Sequence, residues 1–188
     1  MKRKDFLKLS SASALLFGLK SHSVNLYETN KPYDYKKNNS LYMGDFSAPK
    51  LDVVRVAFIG VGARGSGHAK QIAAIEGTEV VGICDFYNDL AEKSSYICQK
   101  IGNGKRHKNI AIYSGNKNKW KAMLEEVQPD AVFISTNWDN HALMAIESMK
   151  KNAHAFVEVP MATNLKDLWD IVNTSETTQK HCMMMENV

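Results

Sequence analysis

A glycine-rich turn between an apolar run and a helix-like segment most constrains the fold of this 188-residue chain. Gly60, Gly62 and Gly65 have the spacing Gly-x-Gly-x-x-Gly, and Asp85 follows at the end of a second apolar run. A strand, a glycine-rich turn, a helix, a second strand and an acidic residue in this order are the fingerprint of a dinucleotide-binding βαβ unit. The spacing therefore predicts a nicotinamide-dinucleotide site, with a glycine turn that holds no ligand as the alternative.

Each residue of the fingerprint has its own expected role. Gly60 allows the tight turn, Gly62 lets the backbone approach a pyrophosphate without a Cβ, and Gly65 lets the helix pack closely on the strand. The pyrophosphate is expected at the free N–H groups that begin a helix over residues 63–75. Asp85 is expected to accept hydrogen bonds from the adenosine ribose. Because its charge would repel a 2′-phosphate, the predicted cofactor is NAD rather than NADP.

Strands and helices are predicted to alternate from residue 53 onwards. Short apolar runs predict strands over 53–59, 80–84, 110–113, 131–135, 155–159 and 182–185. Helix-like segments lie between them over 63–75, 89–101, 117–127, 141–151 and 165–178, the last preceded by Thr163 and Asn164 as plausible caps. This alternation predicts an α/β fold with a doubly wound parallel sheet, the Rossmann arrangement, in which ligands bind beyond the carboxyl ends of the strands.

The N-terminal part of the chain differs from the rest in charge. The first 50 residues hold 9 Lys and Arg against 4 Asp and Glu, whereas the remainder holds 15 against 16, so the folded part gives no indication of a nucleic-acid surface. Residues 1–23, with Arg3 followed by Lys4, are similar to a twin-arginine signal and predict export to the periplasm or cell surface. A disordered basic start in a cytoplasmic protein is the alternative. Residues 24–52 are predicted to be an extended arm or linker, and residues 53–188 the NAD-binding domain.

Further polar groups follow the later strands, at the edge where a parallel sheet binds its ligand. After the fourth strand, Trp138 offers a flat apolar face and His141 a titratable ring, and both are expected to contact the nicotinamide half of the cofactor. The alternative is that Trp138 only packs and that His141 caps or begins the next helix. Glu158 lies in an apolar run and would be costly to bury alone, so a partner or ligand is expected. The cysteines have no short metal-type spacing, and no metal site or membrane span is predicted.

From residue 53 to residue 188 the chain resembles the Gfo/Idh/MocA oxidoreductase family and, within it, glycoside hydrolase family 109. The resemblance rests on the glycine turn, on Trp-Asp-Asn-His at 138–141, on Glu-Val-Pro at 158–160 and on Met-Glu-Asn-Val at 185–188. Most of the parent family has Glu-Lys-Pro at the third of these segments, and its lysine works near the nicotinamide. Val159 in that position is similar to the hydrolase branch.

The resemblance implies a hydrolase for terminal α-linked N-acetylgalactosamine or a related sugar. The implied route is transient oxidation at C3 by hydride transfer to NAD, elimination, water addition at C1 and re-reduction. A conventional NAD-dependent sugar or polyol dehydrogenase and a truncated, non-catalytic dinucleotide-binding protein are the alternatives. The family's second α/β domain, which carries most of the sugar contacts and acid–base groups, is expected to lie outside this sequence. No catalytic residue is therefore assigned, and this chain is expected to be inactive alone. The sequence leaves the oligomeric state open. The implied cofactor contacts are Ala63, Arg64, Asp85, Trp138, Asp139, Asn140, His141, Glu158, Val159 and Asn187.

Overall fold

A six-stranded parallel sheet forms the centre of the computed structural model, which describes residues 42–101 and 106–186. The strand order is β3-β2-β1-β4-β5-β6, and every neighbouring pair is parallel. This order confirms the predicted doubly wound sheet. The strands are β1 (Val54–Ile59), β2 (Thr78–Cys84), β3 (Ala111–Tyr113), β4 (Ala131–Ile134), β5 (His154–Glu158) and β6 (Cys182–Met185).

Helices cover both faces of this sheet. Ala69 and Cys98 pack from α1 and α2 against Phe58 and Ile83 on one face, whereas the other face is covered by α3, α4 and α5. The two apolar clusters on opposite faces are what the continuous apolar strands require, because a strand buried on both sides has no polar alternation. The described helices are α1 (Ala63–Ala74), α2 (Asn88–Ile101), α3 (Lys119–Val127), α4 (Trp138–Lys150) and α5 (Leu165–Thr178).

The helix starts follow from local sequence. Asn164 caps α5, since its side-chain Oδ1 accepts the backbone N–H of Asp167 at 2.9 Å, which confirms the predicted cap. Helix α4 begins at Trp138 and not at residue 141 as predicted, because Asn137 takes an extended N-cap conformation. Asp139 in the first turn suits the positive end of the helix dipole. Polar residues that suggested a loop therefore form the first turn of α4.

An aromatic row crosses the sheet beneath α1. Phe58, Phe133 and Phe156 are paired in register on β1, β4 and β5. The Phe133 and Phe156 rings stack with centroids 4.7 Å apart, and the Phe58 ring lies 5.3 Å from Phe133. Side chains alternate along a strand, so Glu158 shares the face of Phe156 and the side of the sheet on which α1 lies.

The described part of the predicted arm packs against the loop that joins α5 to β6. The Phe46 ring lies 5.0 Å from the His181 ring, and Gln179 Nε2 donates to Met43 Sδ at 3.3 Å. The predicted signal over residues 1–23 lies outside the described residues. Of the helices in the described part of the chain, none combines the length and the apolar character needed to cross a membrane.

Candidate functional site

A crevice of about 460 Å³ opens at the carboxyl ends of the central strands. It lies where the strand order reverses between β1 and β4, the position at which open α/β sheets bind ligands. Gly60, Gly62, Asp85 and Asn140 from the predicted set line it. The sequence therefore located the crevice and four of its lining residues.

The glycine turn has the geometry that the fingerprint requires. Gly60 has φ +84°, and a Cβ there would lie 2.6 Å from the Ser135 carbonyl oxygen. A Cβ on Gly65 would lie 1.9 Å from the Gly60 carbonyl oxygen, so this glycine lets α1 pack closely on the turn that directly follows β1. By contrast, a Cβ on Gly62 would have no described atom within 4 Å. Gly62 thus leaves open space on the crevice, where a bulky anion can approach the backbone.

The N-terminus of α1 faces this open space with its backbone donors. The N-cap residue is Gly62, and no described side chain caps the helix. The N–H groups at the start of an α-helix lack carbonyl partners within the helix, and they attract anions together with the helix dipole. Ala63 and Arg64 are exposed there. This cradle fits the pyrophosphate of a dinucleotide.

Asp85 joins two turns of the crevice. Its Oδ2 accepts the Val61 N–H at 2.7 Å and its Oδ1 accepts the Tyr87 N–H at 3.0 Å. A carboxylate oxygen can accept about two hydrogen bonds, so each oxygen keeps capacity for a ribose hydroxyl. Burial, with a smaller effect of the Asp85 charge, raises the pKa of the neighbouring Cys84 thiol to about 12. Cys84 therefore lines the crevice as a neutral thiol and not as a nucleophile.

An apolar wall beside Asp85 was not predicted from the sequence. Phe86 and Tyr87 line the crevice and remain 58% and 61% exposed, with their rings edge to face at 5.4 Å. Trp120 from α3 and Lys117 from the preceding loop complete this wall. Aromatic faces next to an acidic side chain suit a flat base attached to a ribose. The signal available in the sequence was the aromatic pair directly after the fingerprint acid.

The first turn of α4 divides into an exposed part and a buried part. Trp138 is 62% exposed and Asp139 is also exposed, whereas His141 is fully buried. His141 Nδ1 lies 2.8 Å from the Pro160 carbonyl oxygen and Nε2 lies 3.0 Å from the Thr136 carbonyl oxygen. The ring thus joins the loops after β4 and β5. Cofactor contact by Trp138, Asp139 and His141 stays a prediction.

Glu158 has the partners that its burial requires. His68 Nε2 lies 2.6 Å from Glu158 Oε1 and Arg64 Nε lies 3.4 Å from the same oxygen, which confirms the expectation of a partner. Burial raises the pKa of Glu158, but the His68 hydrogen bond, the Arg64 charge, the Val159 N–H and the His68 charge together outweigh it and lower the pKa from its ordinary value. Val159 is half-buried, its N–H is 3.3 Å from Glu158 Oε2, and its side chain carries no proton donor. Asn187 lies outside the described residues.

Known proteins similar to this chain also indicate an NAD-binding Rossmann domain. The family model for the Gfo/Idh/MocA proteins, described as an oxidoreductase family with an NAD-binding Rossmann fold, matches residues 54–186. A glycosyl hydrolase family 109 protein of Akkermansia muciniphila is 53% identical over 153 residues, which are 81% of this chain and 31% of that relative. An alpha-N-acetylgalactosaminidase of Shewanella oneidensis is 40% identical over 99% of this chain and 39% of its own length. The chain thus spans about a third of the length of the curated relatives it matches.

Solved structures share the fold. The myo-inositol dehydrogenase of Lactobacillus casei, in complex with NAD(H) and myo-inositol, has a TM-score of 0.54 and is 27% identical. The match covers 66% of this chain and 34% of that one. The myo-inositol 2-dehydrogenase of Lactobacillus plantarum has a TM-score of 0.59 at 21% identity, over 71% of this chain and 36% of that one.

Proposed function

Because the chain belongs to the Gfo/Idh/MocA oxidoreductase family, we propose that its NAD-binding Rossmann domain serves a glycoside hydrolase that removes terminal α-linked N-acetylgalactosamine or a related sugar. The observation that carries the proposal is the 53% identity with a glycosyl hydrolase family 109 protein. The relative named alpha-N-acetylgalactosaminidase supplies the proposed substrate. Since the chain spans about a third of these relatives, the proposal concerns the longer protein to which such a domain contributes its cofactor.

The crevice supports the cofactor part of this proposal. The N–H groups of α1 hold the pyrophosphate, and the open space at Gly62 lets it approach the backbone. Asp85 accepts the ribose hydroxyls with the lone pairs that Val61 and Tyr87 leave free. When bound, NAD supplies a reversible hydride acceptor for a sugar carbon. The chain's own work is to bind and orient it.

Val159 supports a hydrolase over an ordinary dehydrogenase. Its side chain cannot donate or accept a proton, so it cannot do the work of the lysine found there in most of the parent family. A cofactor that is regenerated in each turnover has no need to leave, and tight retention of NAD is therefore expected. A hydrolase should release sugar without accumulating NADH.

The test begins with the 188-residue chain and continues with the longest protein that carries it. We would purify both without added cofactor, denature them and quantify the released nucleotide. The longer protein would then be given a chromogenic α-N-acetylgalactosaminide while NADH absorbance is followed. Retained NAD with release of the chromophore and no net NADH is the expected result. The Gly62→Val variant, which fills the pyrophosphate space, is the matched control and should retain no NAD.

A sugar or polyol dehydrogenase is the second candidate, favoured by the 27% identity with the Lactobacillus casei dehydrogenase. The same assay separates the two functions, because a dehydrogenase produces NADH in proportion to oxidised sugar. Net NADH from a free sugar or polyol, without cleavage of the galactosaminide, would replace the hydrolase proposal. NAD absent from both proteins, and no measurable affinity for added NAD, would refute the cofactor role itself.

A further inference from the structure

We infer that His68 is a positioning residue that orients the Glu158 carboxylate, at the carboxyl end of β5, toward a bound dinucleotide, an inference that rests on the proposed NAD-binding function. His68 was not among the residues that the sequence pointed to. It lies on α1, the helix whose N-terminus is expected to receive the pyrophosphate. Its partner lies at the last position of β5. One hydrogen bond therefore connects α1 to the carboxyl end of β5, where the family resemblance implies a cofactor contact by Glu158.

The geometry makes His68 the main partner of this carboxylate. Arg64 and His68 are four residues apart and occupy the same face of α1, directed at Glu158. The His68 bond is the shorter one, at 2.6 Å against 3.4 Å for Arg64. The His68 side chain is 17% exposed, whereas Arg64 is 56% exposed, so water weakens the Arg64 contact more. The His68 ring also lies beside the aromatic row, with its centroid 6.5 Å from that of the Phe133 ring.

The two carboxylate oxygens of Glu158 have different partners, and only Oε2 is left to accept a further hydrogen bond. His68 and Arg64 both contact Oε1, whereas Oε2 has the backbone N–H of Val159 at 3.3 Å. The Oε2 atom thus keeps acceptor capacity for a hydroxyl or an amide N–H. The nicotinamide riboside half of NAD offers both kinds of donor. Without the His68 bond, the carboxylate could rotate and its acceptor would lose a fixed direction.

Val159 itself offers Glu158 no charged or polar side-chain partner. Where most of the resembled family has a lysine after the glutamate, this chain has an aliphatic residue that offers only its backbone N–H. The positive and hydrogen-bonding groups on Glu158 come instead from α1. A buried carboxylate needs such partners, because burying an unpaired charge is costly. His68 and Arg64 therefore supply the partners that this buried carboxylate needs.

The experiment is a double-mutant cycle on the 188-residue chain, with His68→Ala, Glu158→Gln and the double variant. Isothermal titration calorimetry gives the dissociation constant for NAD, and chemical denaturation gives the stability of each cofactor-free variant. His68→Ala should weaken NAD binding about tenfold, the loss expected for one hydrogen bond to a charged group. In the Glu158→Gln background, His68→Ala should change the dissociation constant for NAD by less than about twofold. The effects of two interacting residues do not add, and Glu158→Gln has already removed the charge that His68 contacts.

Two further variants separate positioning from a general effect on the fold. His68→Gln retains a side-chain N–H donor and should bind NAD within about threefold of the wild type. Lys70→Ala, on the exposed side of the same helix, should leave both measurements unchanged. Equal losses for His68→Ala in both backgrounds, or no rescue by glutamine, would overturn the inference. If the wild type binds no NAD, the proposed function fails. If the unfolding free energies of the cofactor-free variants are additive, His68 and Glu158 are not coupled, and the inference fails whether or not NAD binds.

Discussion

Asp85 and Val61 are joined by a short hydrogen bond, in which the Val61 backbone N–H donates to Asp85 Oδ2 at 2.7 Å. The acidic residue of the fingerprint thus holds the glycine turn in place as well as facing the crevice. Its second oxygen accepts the Tyr87 N–H and fixes the turn after β2 in the same way. A substitution at Asp85 therefore changes both the shape of the turn and the ribose acceptor.

Replacing Asp85 separates these two roles. Asp85→Ala should weaken NAD binding by about tenfold or more and reduce the preference for NAD over NADP, because the repulsive charge is lost. Asp85→Asn keeps one oxygen acceptor for a backbone N–H and should lose the preference while disturbing the turn less. Titration of each variant with NAD and NADP measures the two affinities. An unchanged NAD/NADP ratio in both variants would show that Asp85 is not the ribose partner.

The glycines allow binding and folding to be tested apart. Gly62→Ala places its Cβ in open space at φ −65°, so stability should change little while NAD affinity falls. Gly65→Ala drives a Cβ against the Gly60 carbonyl oxygen and should destabilise the fold by about 1–3 kcal/mol or more. Urea denaturation and NAD titration on both variants are the measurements. Equal stability of the two variants would contradict the packing described for Gly65.

His141 is expected to act through structure. His141→Leu keeps the volume but removes the ring N–H donor that lies between the Pro160 and Thr136 carbonyl oxygens, so stability should fall by about 1–3 kcal/mol. Chemical denaturation measures this loss, and NAD titration well below the transition shows whether affinity falls as well. Full stability of the variant together with lost NAD binding would point instead to direct cofactor contact.

A pH effect is expected at the opposite end of the sheet. Burial, the Lys180 charge and His181 lower the pKa of His154 below 6.5, with Asp130 acting weakly in the other direction. His154 Nδ1 accepts the backbone N–H of His181 at 2.9 Å, and only an unprotonated Nδ1 can accept this hydrogen bond. The unfolded chain therefore binds the proton more readily, and stability should fall as the pH drops below 6.5.

The matched variant for this effect is His154→Asn, whose side-chain oxygen can accept the same N–H without titrating near neutral pH. Unfolding free energies measured across the range below 6.5 should fall less steeply for this variant than for the wild type. Parallel pH profiles for the two proteins would assign the acid sensitivity to other groups.

Features encoded by neighbours in sequence were predictable, and features made by distant contacts were not. The spacing of Gly60, Gly62 and Gly65 predicted the turn because each backbone requirement is local. Glu158 could be identified as needing a partner, but its partner His68 is 90 residues away and depends on how α1 crosses the sheet. The start of α4 at Trp138 was missed because polar residues suit a helix's first turn as well as a loop.

The crevice wall shows the same limit. Phe86 and Tyr87 follow Asp85 directly, yet their shared role depends on Trp120 and Lys117 arriving from the next crossover. Periodicity identifies such a helix without saying which of its residues reaches the crevice. Local chemistry therefore predicted the acid and the turn, and tertiary packing decided the surface that surrounds them.

The central position of β1 has a consequence for the order of events during synthesis. This strand pairs with β2 and with β4, and the Arg55 N–H donates to the Asp130 carboxylate across 75 residues of chain. The ribosome extends the chain at about 5–20 residues per second, so the edge of β1 that pairs with β4 stays unpaired until β4 has been synthesised. Such long-range parallel pairing is slow to form. The nascent domain therefore has a window in which an open strand edge is accessible to chaperones.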